Sequence, residues 1–275
     1  MASRNQLDHT VINVKATMPA AAATFTALGF TLTAQGRHTL GSINHLMMFG
    51  TDYMELLGIP EGEPHQRPDL TGALIGINGI VFKTTDVDAQ FKHLEACGMA
   101  GDPPRAFSRP VDLGDSKPDA KFRTVTVRAD VFPGGRVYYC EHGTPELLWR
   151  PEWQRHANRV VKMPEFVTVS EAAQEEAAKF AQLLGGAAAG GAVAFDGGKL
   201  SVLTPAQYQA RYGDLASDMN GRKGIFGAMV CACDDMGPIK RILAAPPAGV
   251  RARETAGGVV ARIDALDSVL EFVPA

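Results

Sequence analysis

Cysteine is scarce in this sequence of 275 residues: Cys97, Cys140, Cys231 and Cys233 are scattered, without the spacing of a disulfide framework or a paired C-x-x-C zinc site. Reduced, mostly buried thiols are expected, which fits a cytoplasmic protein. There is no unbroken apolar run long enough to cross a bilayer. The opening MASRNQLDHTV lacks the apolar stretch of a secretion leader, so neither export nor a membrane partner is expected. Basic residues form no block and the net charge is −3, which argues against a nucleic-acid partner. What is present is the balance of a soluble globular chain, 45% hydrophobic and 21% charged, long enough for one large domain or two ordinary ones.

A repeated pattern organises the chain. LDHTVINV alternates as a half-buried strand, PAAAATFTALGF reads as a helix with Pro19 near its start and Gly29 at its end, and TLTAQGRHTL, SINHLMMFG and YMELLGI supply three more strands. The order recurs in GINGIVFKT, DVDAQFKHLEACG, FSRPVDL, FRTVTVRADVF and VYYCEHGTPELLW, with GDSKPDA as an exposed loop. A fainter copy runs through EFVTVS, EAAQEEAAKFAQLLGG, AVAFDGG and KLSVLTP. A fourth runs through GAMVCACDD, MGPIKRILAAPPAG, VRARETA, GVVARIDA and SVLEFVP. Four βαβββ units in one chain are an internal repeat and the strongest organising signal here. Between the second and third, the polar RPEWQRHANRVVKMP, bracketed by Pro151 and Pro164, reads as a linker.

Within the first unit, Glu55 stands in the apolar strand YMELLG, where a carboxylate needs a partner and no basic residue shares its strand. LDHTVINV, GRHTLGSINHLMMFGTDYMELLG and CEHGTPELLWRPEWQRHAN resemble the vicinal oxygen chelate superfamily, the glyoxalase and extradiol dioxygenase group, and within it the glyoxalase-like branch. The resemblance covers about the first 158 residues, and the remainder by repeat topology alone. It implies an α+β fold of four βαβββ modules forming two vicinal-oxygen-chelate-type domains with curved, open, mixed sheets. Residues 1–150 would be a glyoxalase-like domain with a metal site, 151–163 a linker, and 164–275 a second, degenerate glyoxalase-like domain.

In such folds the metal ligands come from the first and last strands of each unit. Carried over, that implies His9 and Glu55 from the first unit, although a strand histidine can also be a hydrogen-bonded core residue. Gly79 falls opposite His9, so the second unit lacks that ligand. Its last strand offers Glu141, His142 and Glu146; His142 is the imidazole there, and a GT…ELL alignment sets Glu146 opposite Glu55. The implied cofactor is a divalent metal ion (Zn, Fe(II), Mn, Ni or Co), held by His9, Glu55 and a third ligand, His142 ahead of Glu146.

A glyoxalase-type centre would polarise a carbonyl and stabilise an enediolate, with Glu55 or Glu146 moving the proton in lyase or isomerase chemistry. Two histidines and a glutamate would instead match the facial triad of a ring-cleaving Fe(II) dioxygenase. The missing ligand at Gly79 keeps a third reading open, a non-catalytic cup for a small aromatic or antibiotic molecule.

His38 and Asn44 are the expected substrate-binding pair, and His45 faces the other side by strand parity. Arg37, Arg123 and Arg128 carry the charge to clamp a carboxylate, whereas Trp149 and Trp153 are expected to pack the linker. The C-terminal units carry Phe166, Val167 and Ala228 where His9 stands, and only Glu271 echoes Glu55, so a scaffold role is expected for them. A small-molecule substrate and a monomer or homodimer complete the expectation.

Overall fold

The computed structural model describes residues 6–275. Met1 to Asn5, part of the segment read for a leader and of the first domain, lie outside the described residues.

The first half consists of β1 (Leu7–Lys15), α1 (Met18–Ala27), β2 (Gly36–Arg37), β3 (Ile43–Met48), β4 (Tyr53–Gly58), a short α2 (Pro68–Thr71), β5 (Gly76–Lys83), α3 (Val87–Ala96), β6 (Arg105–Pro110), β7 (Asp119–Thr126) and β8 (Arg136–His142). The second half repeats the plan with β9 (Val160–Ser170), α4 (Ala173–Leu184), β10 (Ala188–Ala189), β11 (Ala192–Phe195), β12 (Gly198–Leu203), α5 (Pro205–Tyr212), β13 (Gly224–Cys233), α6 (Met236–Ala244), β14 (Val250–Thr255), β15 (Gly258–Ile263) and β16 (Ser268–Pro274). Local chemistry sets the module helices. The Asp86 carboxylate caps α3 by accepting from the Ala89 N–H at 2.9 Å, and Gly98 just beyond that helix has φ +67°, a conformation costly for any residue with a Cβ.

The two eight-stranded sheets have the same order, β2-β3-β4-β1-β5-β8-β7-β6 and β10-β11-β12-β9-β13-β16-β15-β14. In each, two βαβββ modules meet at a central antiparallel pair, β1/β5 and β9/β13, and within a module the first and last strands run parallel. This is the expected α+β arrangement of four modules in two domains.

Alternation along β1 divides its side chains between two cores. Ile12 and Val14 enter a large core that also holds Phe82, Phe166, Phe180 and Phe272, so the two sheets share one continuous interior. His9 and Val11 face the other way, toward a smaller cluster with Tyr53, Leu57, Val81 and Phe122 that floors a cup.

Two differences from the sequence reading matter. β9 starts at Val160, inside the segment read as a linker, and that segment is fastened down. The buried His156 ring accepts from the Thr31 N–H at 2.9 Å and donates to the Met48 carbonyl at 2.8 Å, and Asn158 donates to the Leu28 carbonyl at 2.9 Å. The second difference is α5, an extra helix laid on the second sheet. Its Tyr208 and Tyr212 fill the face that forms the cup in the first sheet.

Candidate functional site

The centre of the first sheet is built around a β-bulge. Leu7 pairs with Phe82 and His9 with Val81, so Asp8 is an extra residue between them. A bulge re-aims a side chain, and here it brings Asp8 to two imidazoles. The fully buried Asp8 carboxylate accepts from His9 Nδ1 at 2.7 Å and from His142 Nε2 at 2.9 Å. Burial alone would raise its pKa, but the His142 and His9 imidazoles outweigh that and hold the carboxyl well below the usual range.

Because an ionised carboxylate only accepts, His9 must carry its proton on Nδ1, and in the neutral ring Nε2 is the bare nitrogen. Tyr53 stacks on His9 at 4.4 Å between ring centroids, fixing the ring plane. Around Nε2 stand the Tyr138 hydroxyl at 3.3 Å and Glu55 Oε2 at 3.7 Å. The other Glu55 oxygen, Oε1, accepts from Asn44 Nδ2 at 2.6 Å. Glu55 is thus the isolated strand carboxylate with its partners found: an amide on one oxygen and an imidazole beside the other.

Strand register defines which positions of the two modules correspond. Val11 pairs with Glu55, and Val81 pairs with Tyr138. Thr10 pairs with Ile80 at the centre of the sheet, and the rotation that exchanges β1 with β5 about this pair puts His9 on Gly79 and Glu55 on Tyr138. The expected vacancy at Gly79 is therefore real. A Cβ there would meet the Val11 side chain at 3.1 Å, a contact tighter than side chains normally make.

The reading of Glu146 as the counterpart of Glu55 does not hold. Glu146 is exposed on a 3-10 turn, Pro145–Leu147, after β8 has ended, so the ELL echo is a likeness of letters rather than of register. His142 sits behind the site, directed at Asp8 rather than at Glu55. Its Nδ1 is buried without a partner. Tyr138 was missed because a ligand search by residue type passes over a tyrosine. The parallel pairing of β5 with β8 was the signal that would have found it.

His38 and Asn44, the expected substrate pair, both line the cup, and their side chains meet at 3.4 Å. Burial pushes the His38 pKa down to about 4, so this ring is neutral near pH 7, with Nδ1 beside the Ser42 hydroxyl at 3.0 Å. His45 faces away, bonded to the Thr33 carbonyl. Arg37, Arg123 and Arg128 pair with Glu63, Asp88 and Asp130 and do not line the cup. Trp149 packs edge-on against Tyr53 and His142.

Two other arginines line the cup, Arg67, which is paired with Asp69, and Arg109 on β6; sequence reading passed over both. Alternation was the available signal, since Phe107 faces inward and Arg109 shares its parity. The cup itself encloses about 40 Å³, room for a few waters. The stacked pair Phe107 and Phe122 walls it from an open groove of about 550 Å³.

Two donor groups fit a cation in different degrees. The first is His9 Nε2, Glu55 Oε2 and the Tyr138 oxygen. Ligand atoms at 2.0–2.2 Å from one ion lie about 3–3.5 Å apart, close to the spacings here. The buried carboxylate behind His9 is the usual support of a metal-binding imidazole. The second is Asp8, Cys140 and His142, each offering an atom within 4.8 Å of the others. Asp8 there is already committed to two imidazoles, and burial pushes the Cys140 thiol well above its ordinary pKa, away from the thiolate a metal needs.

In the second sheet the matching region is closed. Glu271, the echo of Glu55, accepts from Tyr212 at 2.8 Å and pairs with Arg211 at 2.7 Å, while Arg211 also holds Glu165 at 2.7 Å.

A family model described as a glyoxalase-like domain matches residues 7–184, the whole first domain together with β9 and α4. A search of curated protein sequences finds no match. Among solved structures, a hypothetical protein from Staphylococcus aureus superposes with a TM-score of 0.63 at 10% identity, over 98% of this chain and 99% of that one. A mutant of 4-hydroxymandelate synthase from Streptomyces coelicolor gives 0.58 at 13% identity, over 100% and 93%. A fusion of a xylose isomerase-like TIM barrel with a 4-hydroxyphenylpyruvate dioxygenase gives 0.57 at 13% identity, covering this chain fully and 50% of the fusion. At these identities the likeness is one of fold.

Proposed function

This chain belongs to the glyoxalase-like domain family, and on that premise we propose that it is a metal-dependent enzyme of the glyoxalase type, a lyase or isomerase acting on a small carbonyl substrate. The observation that carries the reading is the convergence on His9 Nε2 of the Tyr138 hydroxyl at 3.3 Å and Glu55 Oε2 at 3.7 Å, with Asp8 behind His9. His9 and Glu55 would hold the ion and Tyr138 would stand as the third donor or as its hydrogen-bonding neighbour. A bound divalent ion supplies Lewis-acid polarisation of a carbonyl oxygen.

The remaining chemistry is the chain's own. Asp8 and Tyr53 keep the His9 ring in one tautomer and one plane. Asn44 holds Glu55 by Oε1 and aims Oε2 into the cup, where it would serve the ion or, when not engaged by it, accept a proton from carbon next to the carbonyl. Tyr138, whose pKa is raised by burial, keeps its proton and can donate it to a developing oxyanion. Phe107, Phe122 and Leu148 exclude water from the cup, and a substrate larger than a few atoms would extend into the outer groove by displacing the phenyl wall.

The dioxygenase reading needed His142 as a second ligating histidine, and its position behind Asp8 gives that no support. The test is metal content of protein purified without chelator, for the wild type and for His9→Ala and Glu55→Ala. One equivalent of metal in the wild type, lost in both variants, is the expected result. If the wild type holds no metal even after reconstitution, the enzyme reading fails and a metal-free binding cup remains.

A further inference from the structure

We propose that Arg109 is a carboxylate-binding residue and that the substrate of this cup is a small carboxylic acid, bound as its anion. Arg109 is 3% exposed, lines the cup with His38, Asn44 and Glu55, and has neither a hydrogen-bond partner for Nε nor one for Nη2. No carboxylate stands within 4.0 Å of it among the described residues, although Arg67 and Arg136 nearby both hold Asp69. A buried guanidinium with no carboxylate bonded to it is unfavourable; burial pushes its pKa down, and the Glu55 charge across the cup offsets this only in part. A fold tolerates such a group when something else completes it.

The geometry says what that is. Nε–H and one Nη2–H point in the same direction and form the side-on edge of the guanidinium, which meets both oxygens of a carboxylate in a fork. The backbone is shaped to admit the side chain. At Gly36 a Cβ would lie 2.8 Å from Arg109 Nη1 and 2.9 Å from its Cδ, so the arginine passes through space that only glycine leaves. The site is therefore built: a positive fork with its bonding edge unspent, in the same small cavity as the His9 and Glu55 pair. This inference deepens the proposed function by naming the anionic end of its substrate.

The test compares pyruvate with pyruvamide, which has the same shape without the charge, by titration calorimetry at fixed pH and ionic strength. Protein is used as purified and again after metal removal, so that an absent metal does not hide an anion site. The wild type is expected to bind pyruvate at least tenfold more tightly than pyruvamide in both preparations. Arg109→Met should abolish that preference, and Arg109→Lys, which cannot form the fork, should reduce it. Without ligand, Arg109→Met should melt no lower than the wild type, because it removes an unpaired buried charge, and its metal content should be unchanged. Equal binding of pyruvate and pyruvamide by the wild type would overturn the proposal. So would no binding of either, tighter binding of inorganic phosphate than of pyruvate, or a preference that survives in Arg109→Met.

Discussion

Asp8 shows how one residue out of register organises a site. Were β1 regular, Asp8 would point into the apolar core on the side of Thr10 and Ile12; the bulge turns it to His9 and His142 instead. Its two charge-assisted bonds are the reason a fully buried carboxylate is tolerated. Asp8→Asn keeps the shape but loses the charge, and its amide must offer an N–H to one imidazole, forcing a change of tautomer. The variant should lose about 3 kcal/mol of stability, the usual cost of breaking a buried pair, and bind metal roughly 10–100-fold more weakly. Urea unfolding and a competitive chelator titration read the two effects. A variant that loses stability but keeps wild-type metal affinity would show that Asp8 serves packing alone. His9, Glu55, His38 and Asn44 were legible as residue types at repeat positions. Asp8 was not, because it depends on a bulge; Arg109 carried only the parity it shares with Phe107, while the room for it depends on the missing Cβ at Gly36.

At the scale of elements, the modules were readable because apolar alternation and the strand–helix–strand order recur four times and three of the four module helices end at a glycine. The error at β8 came from matching letters across a strand end: Pro145 stops the ladder after His142, so Glu146 leaves the sheet. Helix α5 was passed over although its start is marked. Thr204 accepts from the Gln207 N–H at 3.2 Å, the Gln207 side chain returns to the Thr204 N–H at 2.9 Å, and Pro205 opens the first turn.

That helix fills the matching face of the second sheet with Tyr208, Tyr212 and Arg211. Arg211 holds Glu165 and Glu271 together, and removing it leaves two carboxylates facing each other. Arg211→Met should cost about 3 kcal/mol in chemical unfolding, and much of that loss should be recovered in a background carrying Glu165→Gln and Glu271→Gln. No recovery would mean that the arginine stem, rather than its charge, supports the helix.

Across the whole molecule, the two sheets behave as one body because their cores are continuous and a polar stitch joins them. Asp52, in the turn between β3 and β4, is buried and accepts the Met163 N–H of β9 at 3.1 Å. Burial raises its pKa to about 7, against bonds from Met163 and Thr51 that lower it. The unfolded chain releases this proton near pH 4. Between about pH 4 and about pH 7 the folded protein holds a proton that the unfolded chain has lost, so stability falls as pH rises through that window.

The loss from this one group, about three pH units at roughly 1.4 kcal/mol each, is on the order of 4 kcal/mol. Asp52→Asn keeps an oxygen for the Met163 N–H and cannot ionise. It should match the wild type in urea unfolding below about pH 4, where Asp52 is largely protonated in both the folded and the unfolded chain, and exceed it by a few kcal/mol at pH 8. Because every other titrating group is common to both proteins, the difference between their stability curves isolates Asp52. A difference that stays flat from pH 5 to pH 8 would show that the carboxyl ionises alike in the folded and unfolded chain, and that the joint between the two domains is indifferent to pH at this point.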